Sequence, residues 1–201
     1  MENRNYQREL ERVLAGLEGR RPRLLLHSCC GPCSSYCLEV LAEHFEITVF
    51  FYNPNILPEE EWEKRLYWQR QLLDRAPFAR GVELVVPERG EEDFRRAARG
   101  LEGEPEGGAR CTACFALRLG ATADYARTHG FDYFATTLTV SPHKDARRIN
   151  ALGFALAETE GPAWLPSDFK KKDGYRRSVQ LSREYGLYRQ AWCGCGLGGE
   201  K

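Results

Sequence analysis

The stretch RLLLHSCCGPCSS at residues 23–35 decides how this chain is read. Leu24, Leu25 and Leu26 form a short apolar run, the pattern of a strand buried on both faces. The run leads straight into Cys29-Cys30-Gly31-Pro32-Cys33, where Gly and Pro force a tight loop. Ser34 or Ser35 is then placed to cap a helix that continues to about His44, with Leu38 and Leu41 facing inward. A buried strand that turns at once into a helix is the opening unit of a parallel α/β sheet. The first cysteines fall at the carboxyl end of that strand.

The same alternation continues downstream. ITVFFY at 47–52 is β-branched and aromatic and reads as a second buried strand, stopped by NPN at 53–55. Pro58 followed by Glu59, Glu60 and Glu61 starts a helix, because acids in the first turn complement its dipole. VELVVP at 82–87 is the third strand, EEDFRRAARG at 91–100 a short helix, and GLEGEPEGG at 100–108 a flexible stretch and candidate lid. A helix pattern runs from Cys111 to Gly130, the fourth strand is FDYFATTLTV at 131–140, and SPHKD at 141–145 leads into a helix closing near Gly161. AWLP at 163–166 is a short fifth strand, and a basic, aromatic segment with a helix near 174–185 completes the chain. Residues 3–18 carry Tyr6, Leu10, Val13, Leu14 and Leu17 on one stripe, so 1–22 reads as an N-terminal helical extension and 23–201 as a single α/β catalytic domain. Strands separated by long crossovers predict a parallel sheet covered on both faces, with ligands beyond the carboxyl ends of the strands.

Composition narrows the function. Of 201 residues 42% are hydrophobic, enough for a packed core, and 29 basic residues balance 29 acidic ones. Zero net charge excludes a polycation or an acidic tail protein, so any nucleic-acid contact must come from a local patch. No run of about 18 apolar residues is present and the N-terminus is charged, without a signal-peptide core, which together point to a cytoplasmic protein without a membrane partner.

Eight cysteines stand out: Cys29, Cys30, Cys33, Cys37, Cys111, Cys114, Cys193 and Cys195. In a reducing compartment clustered cysteines mean metal or redox chemistry rather than staples. Cys37 reads as a small core hydrophobe. The others gather as C-C, C-x-x-C and C-x-C beside Gly and Pro, which core cysteines do not do. Three chemistries compete. A zinc site from Cys30, Cys33, Cys111 and Cys114 leaves Cys29, Cys193 and Cys195 unexplained. The CGPC tetrapeptide at 30–33 suits a thioredoxin-like thiol oxidoreductase, but Cys29 and the rest of the chain do not follow that pattern. An iron–sulfur cluster accommodates more of the thiols, with CTAC at a helix start directing N–H groups toward an anionic cluster. Cys29 and Cys30 would point to opposite faces of a strand, so both reach one metal centre only if the chain turns at Gly31-Pro32.

HSCCGPC at 27–33, CTAC at 111–114, SPHKD at 141–145 and YRQAWCGC at 188–195 together resemble the epoxyqueuosine reductases of the QueH type, over about residues 23–196. The resemblance implies a fold like the adenine-nucleotide hydrolase and PP-loop (HUP-like) group, with HSCCGPCSS replacing the phosphate loop, so no ATP use is expected. It implies reduction of epoxyqueuosine at the wobble position of tRNA to queuosine, the final step of queuosine biosynthesis, without cobalamin. It makes Cys29, Cys30, Cys111 and Cys114 the ligands of a [4Fe–4S] cluster and Cys193 with Cys195 a redox-active pair. A rival sharing gives the cluster one of the vicinal pair, both CTAC cysteines and one of Cys193 and Cys195. The remaining thiols, with Cys33, then hold one additional iron. The position of Cys33 can be Asp in the family, which leaves that iron's ligand set open. tRNA and an electron donor of unspecified identity are the implied partners.

On the substrate side, His27 and His143 are candidate proton sources near strand ends. Lys144 and Asp145 line the pocket by fold analogy, Lys144 toward a phosphate or ribose, while Ser141 with Pro142 offers a helix cap. Residues 168–190 hold seven basic residues against three acids, interleaved with Phe169, Tyr175, Tyr185 and Tyr188. Lys170, Lys171, Lys172, Tyr188 and Arg189 are the candidate tRNA contacts; the plainer reading is a solvated charged helix. The competing classes are a non-catalytic zinc-binding or tRNA-binding module and the thiol oxidoreductase.

Overall fold

The computed structural model describes residues 4–157 and 161–197. The first residue of the expected N-terminal helix and the expected end of the helix before Gly161 lie outside the described residues. The order along the chain is α1 (Tyr6–Gly16), β1 (Arg23–His27), α2 (Gly31–Leu41), β2 (Glu46–Phe50), α3 (Glu59–Arg75) and β3 (Glu83–Val85). It continues with α4 (Glu91–Ala98), α5 (Ala109–Thr128), β4 (Tyr133–Thr136), α6 (Ala146–Leu156), β5 (Ala163–Trp164) and α7 (Gly174–Glu184).

The five strands form one sheet in the order β3-β2-β1-β4-β5, and every pairing is parallel. This is the α/β parallel sheet the alternation predicts, in a Rossmann/HUP-like arrangement. β1 lies at its centre, pairing Leu25 with Thr48 on one side and Phe134 on the other. Alternate side chains of β1 feed opposite layers, as the strand period requires. Leu24 and Leu26 join Leu10, Leu17, Leu38 and Phe169 in one core. Leu25 joins Phe50, Phe115, Leu119, Phe134 and Trp164 in the other. The chain builds outward from β1 to β3, then returns to β1's other side. That reversal opens a crevice between the carboxyl ends of β1 and β4.

Three local expectations change. α2 starts at Gly31, not at Ser34 or Ser35, because Pro32 fits the first turn of a helix, where no N–H donor is needed. Ser34 and Ser35 turn their hydroxyls back to the carbonyls of Cys30 and Pro32. The fourth strand ends at Thr136, and Thr137–Val140 is a 3₁₀ turn; the Thr136 hydroxyl accepts from the Leu138 N–H and closes the ladder. α6 is capped by Asp145, whose Oδ1 accepts from the N–H groups of Arg147 and Arg148, and not by Ser141. Gly31 is where α2 meets α3: a Cβ there would lie 2.7 Å from the Trp68 carbonyl oxygen. Among the described residues no helix is long and apolar enough to cross a membrane.

Candidate metal and substrate site

The turn after β1 resolves the vicinal-cysteine problem. Cys30 is extended at the N-cap of α2, and the chain bends there. The sulfurs of Cys29, Cys30 and Cys33 consequently lie within 4.8 Å of one another, those of Cys29 and Cys30 3.8 Å apart. Among the described residues this is the one group of three metal-ligating side chains so close, and it can hold a metal ion. Hydrogen bonds from Cys30 and Cys33 hold the Cys29 thiol well below its ordinary range, with Arg118 and Lys144 adding to the effect. The bond to Cys29 lifts Cys30 to about 11, and bonds with Cys29 and Cys30 lift Cys33 too. Negative charge is therefore favoured on Cys29 over Cys30 and Cys33. Gln190 donates from Nε2 to the Cys30 sulfur at 3.0 Å.

Arg118, one helical turn after Cys114 on α5, is buried behind these thiols. Its Nη2 donates to Asn53 Oδ1 at 2.7 Å, and its Nη1 lies 3.9 Å from the Cys114 sulfur. Its Nε donates to His27 Nε2 at 3.2 Å. The same Nε2 lies 3.1 Å from the Tyr52 carbonyl oxygen, and Nδ1 lies 2.8 Å from Thr136 Oγ1, so the ring is bracketed by Arg118, Tyr52 and Thr136. Burial and then Arg118 lower His27 to about 3. Burial opposes the Arg118 charge, but Cys114, Cys29 and Cys193 outweigh it and raise its pKa. Burial likewise opposes the charge on Lys144, and nearby Cys193, Cys29 and Cys33 hold it above its ordinary range.

The C-terminal loop folds back over the thiols. Arg65, on α3 and 2% exposed, donates from Nε to Glu61 at 2.6 Å, from Nη1 to the Cys193 carbonyl at 2.9 Å and from Nη2 to the Trp192 carbonyl at 3.3 Å. The Leu57 N–H donates to the Gly194 carbonyl at 2.8 Å. The loop closes a cavity of about 240 Å³ lined by Cys29, Cys33, Arg118, Lys144, Arg189 and Cys193, among others. A smaller hollow beside it is lined by Glu106, Cys111, His143, Lys144, Asp145 and Cys193. Cys114 and Cys195 pack against Phe94 just outside. The Cys195 thiol, then Lys144 and Arg118, hold Cys193 at about 5, and the same bond drives Cys195 far up. The three cysteine motifs therefore converge at one end of the sheet, while Cys37 is a fully buried member of the core.

The remaining sequence candidates divide. Lys144 and Arg189 line the cavity, and Asp145 lines the smaller hollow while capping α6. His27 is fully buried behind the cavity wall, where it holds Arg118. Lys170 pairs with Asp168 and Lys172 with Glu11; with Lys171 they lie outside the cavity lining. Tyr188 donates its hydroxyl to Glu61, with Lys64 over its ring. The 100–108 stretch is tied down by Arg110, whose Nη1 donates to the carbonyls of Glu102 at 2.7 Å and Glu104 at 2.5 Å. Arg65, Arg118, Gln190 and Asn55 carry no sequence signal of a role here. Asn55 and Gln190 line the cavity, and each has a buried side-chain oxygen without a hydrogen-bond partner among the described residues.

Comparison with known proteins bears directly on this arrangement. The family model for epoxyqueuosine reductase QueH matches residues 24–201. The chain belongs to the QueH family. Among its relatives, a protein of Streptococcus pyogenes serotype M1 named epoxyqueuosine reductase QueH is 44% identical over 195 residues, 95% of this chain and 76% of its own. A QueH of Staphylococcus epidermidis is 43% identical over 95% of this chain and 83% of its own length. A QueH of Thermotoga maritima is 34% identical over 86% and 88%.

Proposed function

We propose that this chain reduces the epoxide of epoxyqueuosine, at the wobble position of tRNA, to queuosine, the final step of queuosine biosynthesis. The observation that carries the reading is the grouping of Cys29, Cys30 and Cys33 within 4.8 Å at the carboxyl end of the central strand, facing a cavity that receives Cys193 from the far end of the chain. Its relatives at 44% and 43% identity carry the name of this reaction.

The donor set suits an iron–sulfur centre. Soft thiolates select iron–sulfur clusters and zinc, and the buried cations Arg118 and Lys144 offset the negative charge of a thiolate-bound cluster. In this reading Cys29, Cys30, Cys111 and Cys114 would hold a [4Fe–4S] cluster and Cys193 with Cys195 would be the redox-active pair. In the rival sharing the cluster would take one of Cys29 and Cys30, both Cys111 and Cys114 and one of Cys193 and Cys195, and the remaining thiols with Cys33 would hold one additional iron. Such a centre supplies single electrons and a Lewis-acidic position.

The chain's own residues do the rest. Turning the epoxide into an alkene and water consumes two electrons and two protons. An external donor supplies the electrons, and Cys193 with Cys195 is the local dithiol that can hold an electron pair and release it, with two protons, on oxidation to the disulfide. Lys144 carries its proton on Nζ at the cavity wall. His27 is neutral, and its ring nitrogens are engaged with Thr136, Arg118 and the Tyr52 carbonyl, so its part is to position Arg118 rather than to donate a proton. Lys170, Lys171, Lys172, Tyr188 and Arg189 lie on the segment that leads to Cys193, where an anticodon loop would approach. A tRNA substrate and clustered thiols suit a reducing cytoplasm.

The test is anaerobic reconstitution with iron and sulfide, followed by nucleoside analysis of epoxyqueuosine tRNA. Queuosine formation, together with a visible chromophore that a chelator removes, is expected for the wild type; Cys29→Ser abolishes both. A colourless zinc protein without product overturns the reading. Full activity in both Cys193→Ser and Cys195→Ser removes the dithiol from it.

A further inference from the structure

Residues 188–194 form an irregular loop that side chains clamp from two helices. Tyr188 donates its hydroxyl to Glu61 on α3 at 3.2 Å. Arg189 donates from Nη1 to the Ser182 hydroxyl on α7 at 3.1 Å. Arg65 on α3 holds the carbonyls of Trp192 and Cys193. Gln190 sits between these clamps, and its Nε2 lies 3.0 Å from the Cys30 sulfur, 160 positions away along the chain. Cys30 is 1% exposed, so water does not compete for that sulfur. Arg189, Trp192 and Cys193 of the same loop line the cavity, so whatever fills the cavity touches the loop that carries Gln190.

The bond matches one state of the cysteine. A deprotonated sulfur only accepts, and an amide N–H is the partner it requires. In either sharing of the thiols described above Cys30 is an iron ligand and therefore a thiolate. Hydrogen bonds to the sulfurs are among the features that set the reduction potential of such a centre. Reduction brings in one electron from the donor and adds one negative charge to the thiolate-bound centre, with no bond formed or broken. An N–H aimed at a ligand sulfur stabilises the more negative state and so favours reduction.

We propose that Gln190 is a positioning residue that couples the seating of the 188–194 loop to electron uptake at the metal centre. With the loop seated, Nε2 supports the Cys30 thiolate and the reduced state is favoured. With the loop lifted, the bond is lost and the centre resists reduction. The inference rests on the reading of the thiols as iron ligands.

The experiment uses full-length protein reconstituted with iron and sulfide. It is titrated anaerobically with dithionite and redox mediators, reading visible absorbance against electrode potential, and the iron content of each sample is measured. Gln190→Met keeps the length of the side chain but has no N–H. It should lower the equilibrium constant for one-electron reduction about tenfold, which is about 59 mV, with iron content kept. Gln190→Glu keeps the shape but offers only acceptors at neutral pH, and should lower the potential at least as far. Arg65→Met lifts the loop and should lower it too. Combining Gln190→Met with Arg65→Met should go little beyond the larger single effect, because the bond can be lost only once. An unchanged potential in Gln190→Met, or a wild-type potential in Gln190→Glu, overturns the role of the N–H. Additive shifts in the double variant overturn the coupling through the loop. A wild-type protein that takes up zinc but no iron overturns the reading of the thiols themselves, and shows it before any variant is compared.

Discussion

Replacing Arg65 by Met tests whether one buried guanidinium seats the loop that carries Cys193. The side chain keeps much of its volume but loses the bonds to Glu61 at 2.6 Å, to the Cys193 carbonyl at 2.9 Å and to the Trp192 carbonyl at 3.3 Å. Removing one partner of a buried ion pair costs about 3–5 kcal/mol. Glu61 is 10% exposed and keeps the Tyr188 hydroxyl, so the lower end, about 3 kcal/mol, is the better figure. Domains of this kind are stable by about 5–15 kcal/mol, so the variant should still fold. Some 2–3 kcal/mol of the loss falls on the loop, because two of the three bonds end there, which raises the population of its open form about 30- to 150-fold. Hydrogen exchange reads this directly, since the Leu57 amide is protected only by the Gly194 carbonyl across the loop. Leu57 exchange and alkylation of Cys193 in the metal-free protein should both accelerate by that factor, with β1 amides changed far less. Arg65→Lys, which can reach one acceptor, should fall between. If Leu57 and Cys193 respond no more than the β1 amides do, Arg65 stabilises the fold generally and the seating argument is wrong.

Gly194 has φ +107°, and a Cβ there would lie 3.0 Å from Arg65, so Gly194→Ala should release the same loop, as judged by the same exchange measurement. Gly31→Ala pushes a Cβ to 2.7 Å from the Trp68 backbone carbonyl; urea unfolding should show a loss of about 1–3 kcal/mol, with weaker metal retention because α2 carries Cys33. His27 is held near 3 in the fold, against about 6.5 in an unfolded chain. The unfolded chain therefore takes up the proton first as pH falls, and stability drops by about 1.4 kcal/mol per unit between pH 6.5 and 3 from this residue. In metal-free protein His27→Gln should remove that share of the slope; an unchanged slope would mean the ring is not buried neutral. With Cys193 at about 5 and Cys195 far higher, iodoacetamide at pH 6.5 should label Cys193 and spare Cys195, which peptide mass spectrometry reads.

The parallel sheet, the place of β1 and the position of CCGPC at a carboxyl end were all legible in the sequence. Each rests on short-range physics: an apolar run of strand length, a Gly-Pro turn, an acid-rich helix start. The limits of that reasoning show at the fourth strand, where a β-rich pattern ran four residues past the point at which Thr136 ends the ladder. The charged C-terminal segment shows another. Its local excess of four positive charges is halved by Glu39 and Glu11, which come from distant helices to pair with Arg177 and Lys172, while Asp168 and Asp173, already counted in that excess, take Lys170 and Arg176.

The sequence by itself determined that the chain carries reactive thiols at the mouth of a Rossmann-like sheet, because their spacing and the elements around them are local properties. Only the tertiary structure decided what surrounds those thiols. Arg118 meets His27 across 91 residues and Arg65 meets Cys193 across 128, and nothing in the intervening sequence encodes either contact. A buried arginine is stable only where distant partners satisfy its donors, so its role exists only once the chain has folded.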